Sequence, residues 1–274
     1  MLAVLGPAGP ALADPAAPLL RPDDPGVLRG ESVFETVRIA AGRPAFLDRH
    51  LARLWRSADR LALTLPDGWE ALCALAVDTW PEPDGVLRLV CSRGGTAYAL
   101  VTAVPAETVA GREQGVRAVT LSLGGPAAAR ADAPWLLGGV KSTSYAVNMA
   151  ALREASTAGA QDVVFLSSDA QVLEAPTSTA AWVTAGLLVT PPPDGVGILR
   201  GTTMEVLLEL CDELEVPYEV RGGAASELLE ADEVLLASSV RGVAPVVALD
   251  GRELGCGPVT GRLRAAFERR VQAD

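Results

Sequence analysis

Lysine is all but missing from this chain. Of 274 residues, 23 are lysine or arginine, and Lys141 is the only lysine. Histidine is reduced to His50, and the four cysteines, Cys73, Cys91, Cys211 and Cys256, are scattered without a CxxC spacing. A zinc site needs several clustered Cys or His ligands, so no metal centre is expected. The scatter predicts reduced thiols in a cytoplasmic protein. Aromatics are only 4% of the residues and the net charge is −11, a poor balance for nucleic acid or an anionic membrane surface. An anionic ligand must therefore be held by a local pocket. No run approaches ~18 uninterrupted apolar residues, so no membrane span is expected. The opening "MLAVLGPAGPALADP" contains an "ALA" like a cleavage site. It has no basic start, and Gly6, Pro7, Gly9 and Pro10 break its apolar stretch, so it reads poorly as a secretory leader.

What is present bounds the fold. Hydrophobic residues make up 49% of the chain, enough for one large or two modest domains. The surplus of Ala, Gly, Pro and Arg has the look of a high-GC coding bias, which accounts for the missing lysines but not for the survivor. Strand-like residues run from Ser32 to Ile39. A helix follows, capped by Asp48 and running through Leu61, with Leu51, Leu54, Trp55 and Ala58 on one apolar face and Arg49, Arg53, Arg56 and Arg60 on the solvated side. A second helix covers Trp69 to Thr79. "GVLRLVCSRG" and "AYALVTAVP" read as a hairpin, and "VRAVTLSL" as a further strand. Residues 123–134, rich in small residues and proline, are the best linker. It divides a smaller N-terminal α+β domain, 1–122, from a larger C-terminal domain, 135–274. The latter opens with a helix from about Thr143 to Thr157. Hairpins then run through "DVVFLSS" with "QVLEA" and "AAWVT" with "LLVTPP". A helix follows over "GTTMEVLLELCDEL", with the spacing of a capping box from Thr202 to Glu205. A late strand "EVLLASS" and a hairpin around Asp250 and Gly251 close the pattern. Strands and helices mix without a regular βαβ alternation, which favours α+β.

Three features could carry chemistry. Lys141 follows Gly138, Gly139 and Val140, and flanking glycines permit close approach of a ligand. A buried lysine amine becomes a nucleophile or base and condenses with carbonyl compounds; the alternative is a lysine snorkelling at the surface. Glu174, in "VLEAPTSTAAW", is either an exposed strand end or a buried anion facing a cationic ring nitrogen. Gly201, Thr202 and Thr203 stand at a helix start, where backbone N–H groups and the dipole favour a phosphate, although an ordinary cap gives the same pattern. Ser238 and Ser239, in "LLASSVRGVAP", stand at a strand end and are a weaker signal of the same kind. An amine, an anion and a phosphate cradle together are the set that pyridoxal phosphate requires.

"GESVFETVRIAAGRPAFLDRHLARL", "GGVKSTSYAVNMAALREA", "GAQDVVFLSSDAQVLEAPTSTAAW", "GVGILRGTTMEVLLEL" and "ADEVLLASSVRGVAPVVALDG" resemble the fold-type IV pyridoxal-phosphate enzymes, the class IV aminotransferase family. They occur in family order from about Gly30 to Gly251. The resemblance implies the two-domain, D-amino-acid aminotransferase-like fold, a homodimer, and pyridoxal phosphate in the cleft between domains. By position it implies that Lys141 carries the cofactor and that Glu174 partners its ring nitrogen. Arg53, Thr202, Thr203 and Ser239 would hold its phosphate. Branched-chain aminotransferases carry a tyrosine five residues after the lysine; here Ala146 is at that spacing and Tyr145 is one residue earlier. The local sequences most resemble the aminodeoxychorismate lyases of the family. They imply conversion of 4-amino-4-deoxychorismate to 4-aminobenzoate and pyruvate, with Arg88, Arg93 and Arg241 as candidates for the carboxylates of this small-molecule substrate. The alternative is amino transfer from D-amino or branched-chain amino acids.

Overall fold

The computed structural model describes all 274 residues. The chain separates into two units. The first takes Met1–Pro105, Val140–Tyr145 and Val271–Asp274; the second takes Ala106–Gly139 and Ala146–Arg270.

In the first unit the glycines and prolines of the opening stretch make a hairpin. Its strands are β1 (Leu2–Gly6) and β2 (Gly9–Ala13), and its turn uses Gly9 at φ 102°. Then come a short α1 (Pro25–Leu28), β3 (Ser32–Ala40), β4 (Arg43–Pro44), α2 (Leu47–Arg60), α3 (Trp69–Asp78), β5 (Gly85–Ser92) and β6 (Ala97–Thr102). The strands form an antiparallel sheet in the order β2-β1-β6-β5-β3-β4. Side chains alternate across a strand, so Val33, Val37 and Ile39 of β3 point to one face. There they join Leu54 of α2 and Trp69 and Leu72 of α3 in a buried cluster. Each fully buried large apolar side chain contributes roughly 2 kcal/mol.

The start and face of α2 differ from the sequence expectation. Its N-cap is Phe46, in the left-handed region at φ 54°, and Asp48 sits in the first turn, where a carboxylate suits the helix dipole. The Phe46 N–H donates to Asp274 Oδ2 at 2.7 Å. Trp55, expected inside, is 43% exposed, whereas Arg53, expected in solvent, is buried. The reason is a carboxylate on β3, described below.

The second unit comprises α4 (Ala106–Gln114), β7 (Val116–Ser122), α5 (Ala129–Asp132), α6 (Ala146–Thr157), β8 (Asp162–Leu166), β9 (Thr179–Thr184) and β10 (Leu187–Thr190). It continues with α7 (Thr202–Glu213), β11 (Tyr218–Val220), α8 (Ala225–Glu230), β12 (Glu233–Ser238), β13 (Gly242–Leu249), β14 (Arg252–Glu253) and most of α9 (Pro258–Ala273). Its sheet runs β11-β10-β9-β12-β13-β7-β8, with β14 beside β13. Because β7 pairs in parallel with β13 and with β8, it belongs to this unit. The unit therefore starts at Ala106, earlier than the compositional break at 123–134. "QVLEA" runs beside β8 through single contacts, Leu173 N to Phe165 O at 2.9 Å and Phe165 N to Glu174 O at 2.8 Å, not as a full strand. Gly201, not Thr202, is the N-cap of α7, and no side chain caps it. No helix is long and apolar enough to cross a membrane.

Candidate active site

In the first unit Lys141 is stitched alongside β3. The Phe34 N–H donates to Lys141 O at 3.1 Å, the Thr143 N–H donates to Ser32 O at 2.9 Å, and Val33 bridges Ser142. On its other side the Lys141 N–H donates to Ser57 Oγ of α2 at 3.2 Å. The lysine is thus fixed by main-chain bonds to a strand and a helix, and it is only 8% exposed. Its amine lies 4.4 Å from the Phe34 ring centroid and 3.2 Å from the Tyr145 hydroxyl. The two rings meet edge to face at 5.1 Å. A cation over an aromatic face is favoured by the ring quadrupole, the more so where water is scarce.

The strand alternation that buries Val33 and Val37 also sends Glu35 inward, fully buried. Three positions of α2 at i, i+3 and i+7 share the facing side: His50, Arg53 and Ser57. Glu35 accepts Arg53 Nε at 2.7 Å, Arg53 Nη2 at 2.8 Å and His50 Nδ1 at 2.7 Å. Burial pushes the Glu35 carboxyl up. The Arg53 charge and hydrogen bonds outweigh it and hold Glu35 far below the ordinary carboxylate range. Burial also pushes His50 down, and the positive charges of Arg53 and Lys141 add to that, against the pull of Glu35. A neutral His50 then donates its Nδ1–H to Glu35. Sequence reasoning missed Glu35, His50 and Ser57. The signal was a carboxylate on the apolar phase of β3, facing basic and hydroxyl groups at helical spacing.

In the second unit Glu174 has a side chain 17% exposed, nearer a buried anion than a free strand end. Its Oε1 accepts Arg130 Nη1 at 3.3 Å and its Oε2 accepts the Leu199 N–H at 3.0 Å. The turn after it is fixed by Asn148 Nδ2 donating to Pro176 O at 2.7 Å. Thr202 and Thr203 are buried in the first turn of α7. Gly201 is needed there because a Cβ would collide with Thr179 Oγ1. Ser239 is half-buried just after β12. Gly138 and Gly139 have a different use from the one their sequence context suggests. A Cβ on Gly138 would lie 2.7 Å from Gly197 O, and one on Gly139 3.0 Å from Ile198 O. These glycines admit the protein's own backbone, not a ligand.

The three candidate arginines differ. Arg93 donates to Leu61 O at 2.6 Å and Ala62 O at 3.2 Å and pairs with Glu31, tying off the C-terminus of α2. Arg241 donates to Asp162 Oδ2 at 2.5 Å and Ser178 Oγ at 3.0 Å. Arg88 is exposed on β5, opposite Thr36. By strand alternation it shares the sheet face that carries Phe34, and so lies on the side of the Lys141 amine.

Comparison with known proteins agrees with this chemistry. The chain is 39% identical to the bifunctional aminodeoxychorismate lyase / D-amino acid transaminase of Mycobacterium tuberculosis, over 96% of this chain and 97% of that protein. It superposes with a TM-score of 0.94 on the PLP-bound form of a hypothetical aminotransferase from the same organism, at 38% identity, covering 100% and 99% of the two chains. A fold IV transaminase from Curtobacterium pusillum gives a TM-score of 0.91 at 37% identity, with 100% and 99% covered. Residues 32–249 match the family described as amino-transferase class IV, and the chain is therefore a member of the class IV aminotransferase family of pyridoxal-phosphate enzymes.

Proposed function

We propose that this enzyme cleaves 4-amino-4-deoxychorismate to 4-aminobenzoate and pyruvate, and that it also transfers the amino group of D-amino acids. The carrying observation is the setting of Lys141: a single lysine, nearly buried, pinned by its main chain and bracketed by Phe34 and Tyr145. The choice of reactions is supported by the likeness to the bifunctional Mycobacterium tuberculosis protein. The residues fit the cofactor chemically, with a confined amine for its aldehyde and a mostly buried carboxylate for its ring nitrogen. Lys141 would hold the aldehyde, Glu174 the ring nitrogen, and Arg53, Thr202, Thr203 and Ser239 the phosphate. When bound, pyridoxal phosphate would supply an electron sink for the substrate carbon beside the nitrogen.

Lys141 Nζ would serve as the base that takes the proton from that carbon. The Tyr145 hydroxyl accepts from the amine when it is charged and donates to it when neutral, so it keeps Nζ aimed through the transfer. In the lyase reaction the C–O bond to the enolpyruvyl group then breaks. The ring becomes aromatic and the three-carbon fragment leaves as pyruvate after taking a proton. No oxidant or second substrate is needed. Arg88 is the arginine whose placement supports contact with a substrate carboxylate, by a bidentate pair. The reading also takes the protein to act as a homodimer in the cytoplasm.

The test is turnover of aminodeoxychorismate with 2-oxoglutarate rigorously absent. Sustained release of 4-aminobenzoate and pyruvate over many turnovers is expected. Failure to form either, alongside acceptor-dependent consumption of a D-amino acid, would leave the protein a transaminase alone.

A further inference from the structure

We propose that Arg130 is a positioning residue that draws off part of the charge of Glu174, so that the ring nitrogen of bound pyridoxal phosphate is held less strongly protonated than a bare carboxylate would hold it. The inference rests on the reading of Glu174 given above.

The arrangement is built into the backbone. Arg130 lies on α5, a helix of four residues, and two glycines make room for its main chain. A Cβ on Gly138 would lie 2.9 Å from Arg130 Cβ and from Arg130 O. A Cβ on Gly197, whose φ is 63°, would lie 2.8 Å from Arg130 C and Cβ and 2.9 Å from Ala131 N. The turn containing Gly197 also supplies the second donor to Glu174, since Leu199, two residues on, gives its N–H to Oε2. One turn therefore clamps the helix that carries Arg130 and bonds the carboxylate that Arg130 meets.

Arg130 meets Glu174 at Oε1 and Leu199 meets it at Oε2. A ring N–H held by Glu174 would meet a carboxylate whose negative charge is already shared with a guanidinium. The attraction that keeps a proton on the ring nitrogen is correspondingly smaller. The Arg130 side chain is 31% exposed, so solvent weakens its influence without removing it.

The experiment loads the enzyme with pyridoxal phosphate carrying 15N in the ring and follows the nitrogen signal from pH 6 to 10. Arg130→Met should raise the midpoint of the ring-nitrogen transition by at least about half a pH unit, near threefold in proton affinity. Arg130→Gln keeps an N–H donor without the charge and should move it the same way. Glu174→Gln should move it down. A midpoint unchanged or lowered in the Arg130 variants, with Glu174→Gln still lowering it, would overturn the role of Arg130. A midpoint that ignores Glu174→Gln would overturn the role of Glu174 and this inference with it. Far-ultraviolet circular dichroism identifies the Arg130 variant that is folded, and either one suffices.

Discussion

At the residue scale the site turns on how few groups can do each task. Lys141 was legible because it is unique, and burial beside Phe34 and Tyr145 agrees with a reactive amine. Glu174 was legible only as one of two alternatives, because exposure at a strand end depends on what the next turn brings, here Leu199 and Arg130. Glu174→Gln is expected to keep the cofactor and lose most activity, since a neutral amide stabilises a protonated ring nitrogen poorly. Steady-state rates within about threefold of the parent, less than ~1 kcal/mol of barrier, would make the glutamate an ordinary structural residue. Arg88→Met should raise KM for the carboxylate-bearing substrate by about tenfold or more with kcat little changed, the cost of a lost charge-assisted contact. The same substitution at Arg93 acts differently. It removes donors from the Leu61 and Ala62 carbonyls just past the end of α2 and should appear as lower stability.

At the scale of elements, α2 and β3 form one polar joint inside an apolar interface. The arginine stripe of α2 read as solvated because helical periodicity says which side chains share a face, not what faces them. Glu35 turns Arg53 inward, and Trp55 takes an exposed place. Removing one partner of a buried ion pair typically costs ~3–5 kcal/mol, so Glu35→Gln should lower the unfolding midpoint sharply. The same joint makes stability depend on pH. His50 is pushed down in the folded state, so below its ordinary value of about 6.5 the unfolded chain binds a proton that the folded chain refuses. Glu35, held down by Arg53, adds the same sense below about 4.5. Stability therefore rises with pH across both windows. Denaturant unfolding of His50→Asn should show a flatter dependence between about pH 5 and 7 than the parent, by up to ~1.4 kcal/mol per pH unit. Equal slopes would mean that His50 does not titrate on unfolding.

At the scale of the whole molecule, most strands and the central helices were legible from apolar phase and turn residues. The domain boundary was not. Composition marks 123–134 as a break, but hydrogen bonding assigns β7 to the sheet of β13 and β8, and no local signal announces a long-range parallel pairing. The N-terminal hairpin was obscured for a related reason: the glycines and prolines that interrupt the apolar opening stretch also make a turn. The account of the molecule stands on Lys141 as the residue that carries the cofactor. The most direct test is borohydride reduction of the loaded enzyme followed by peptide mapping. Because the chain has a single lysine, the account predicts one pyridoxyl group per chain on the peptide containing Lys141, and none in Lys141→Ala. Label confined to the N-terminal amine would contradict it.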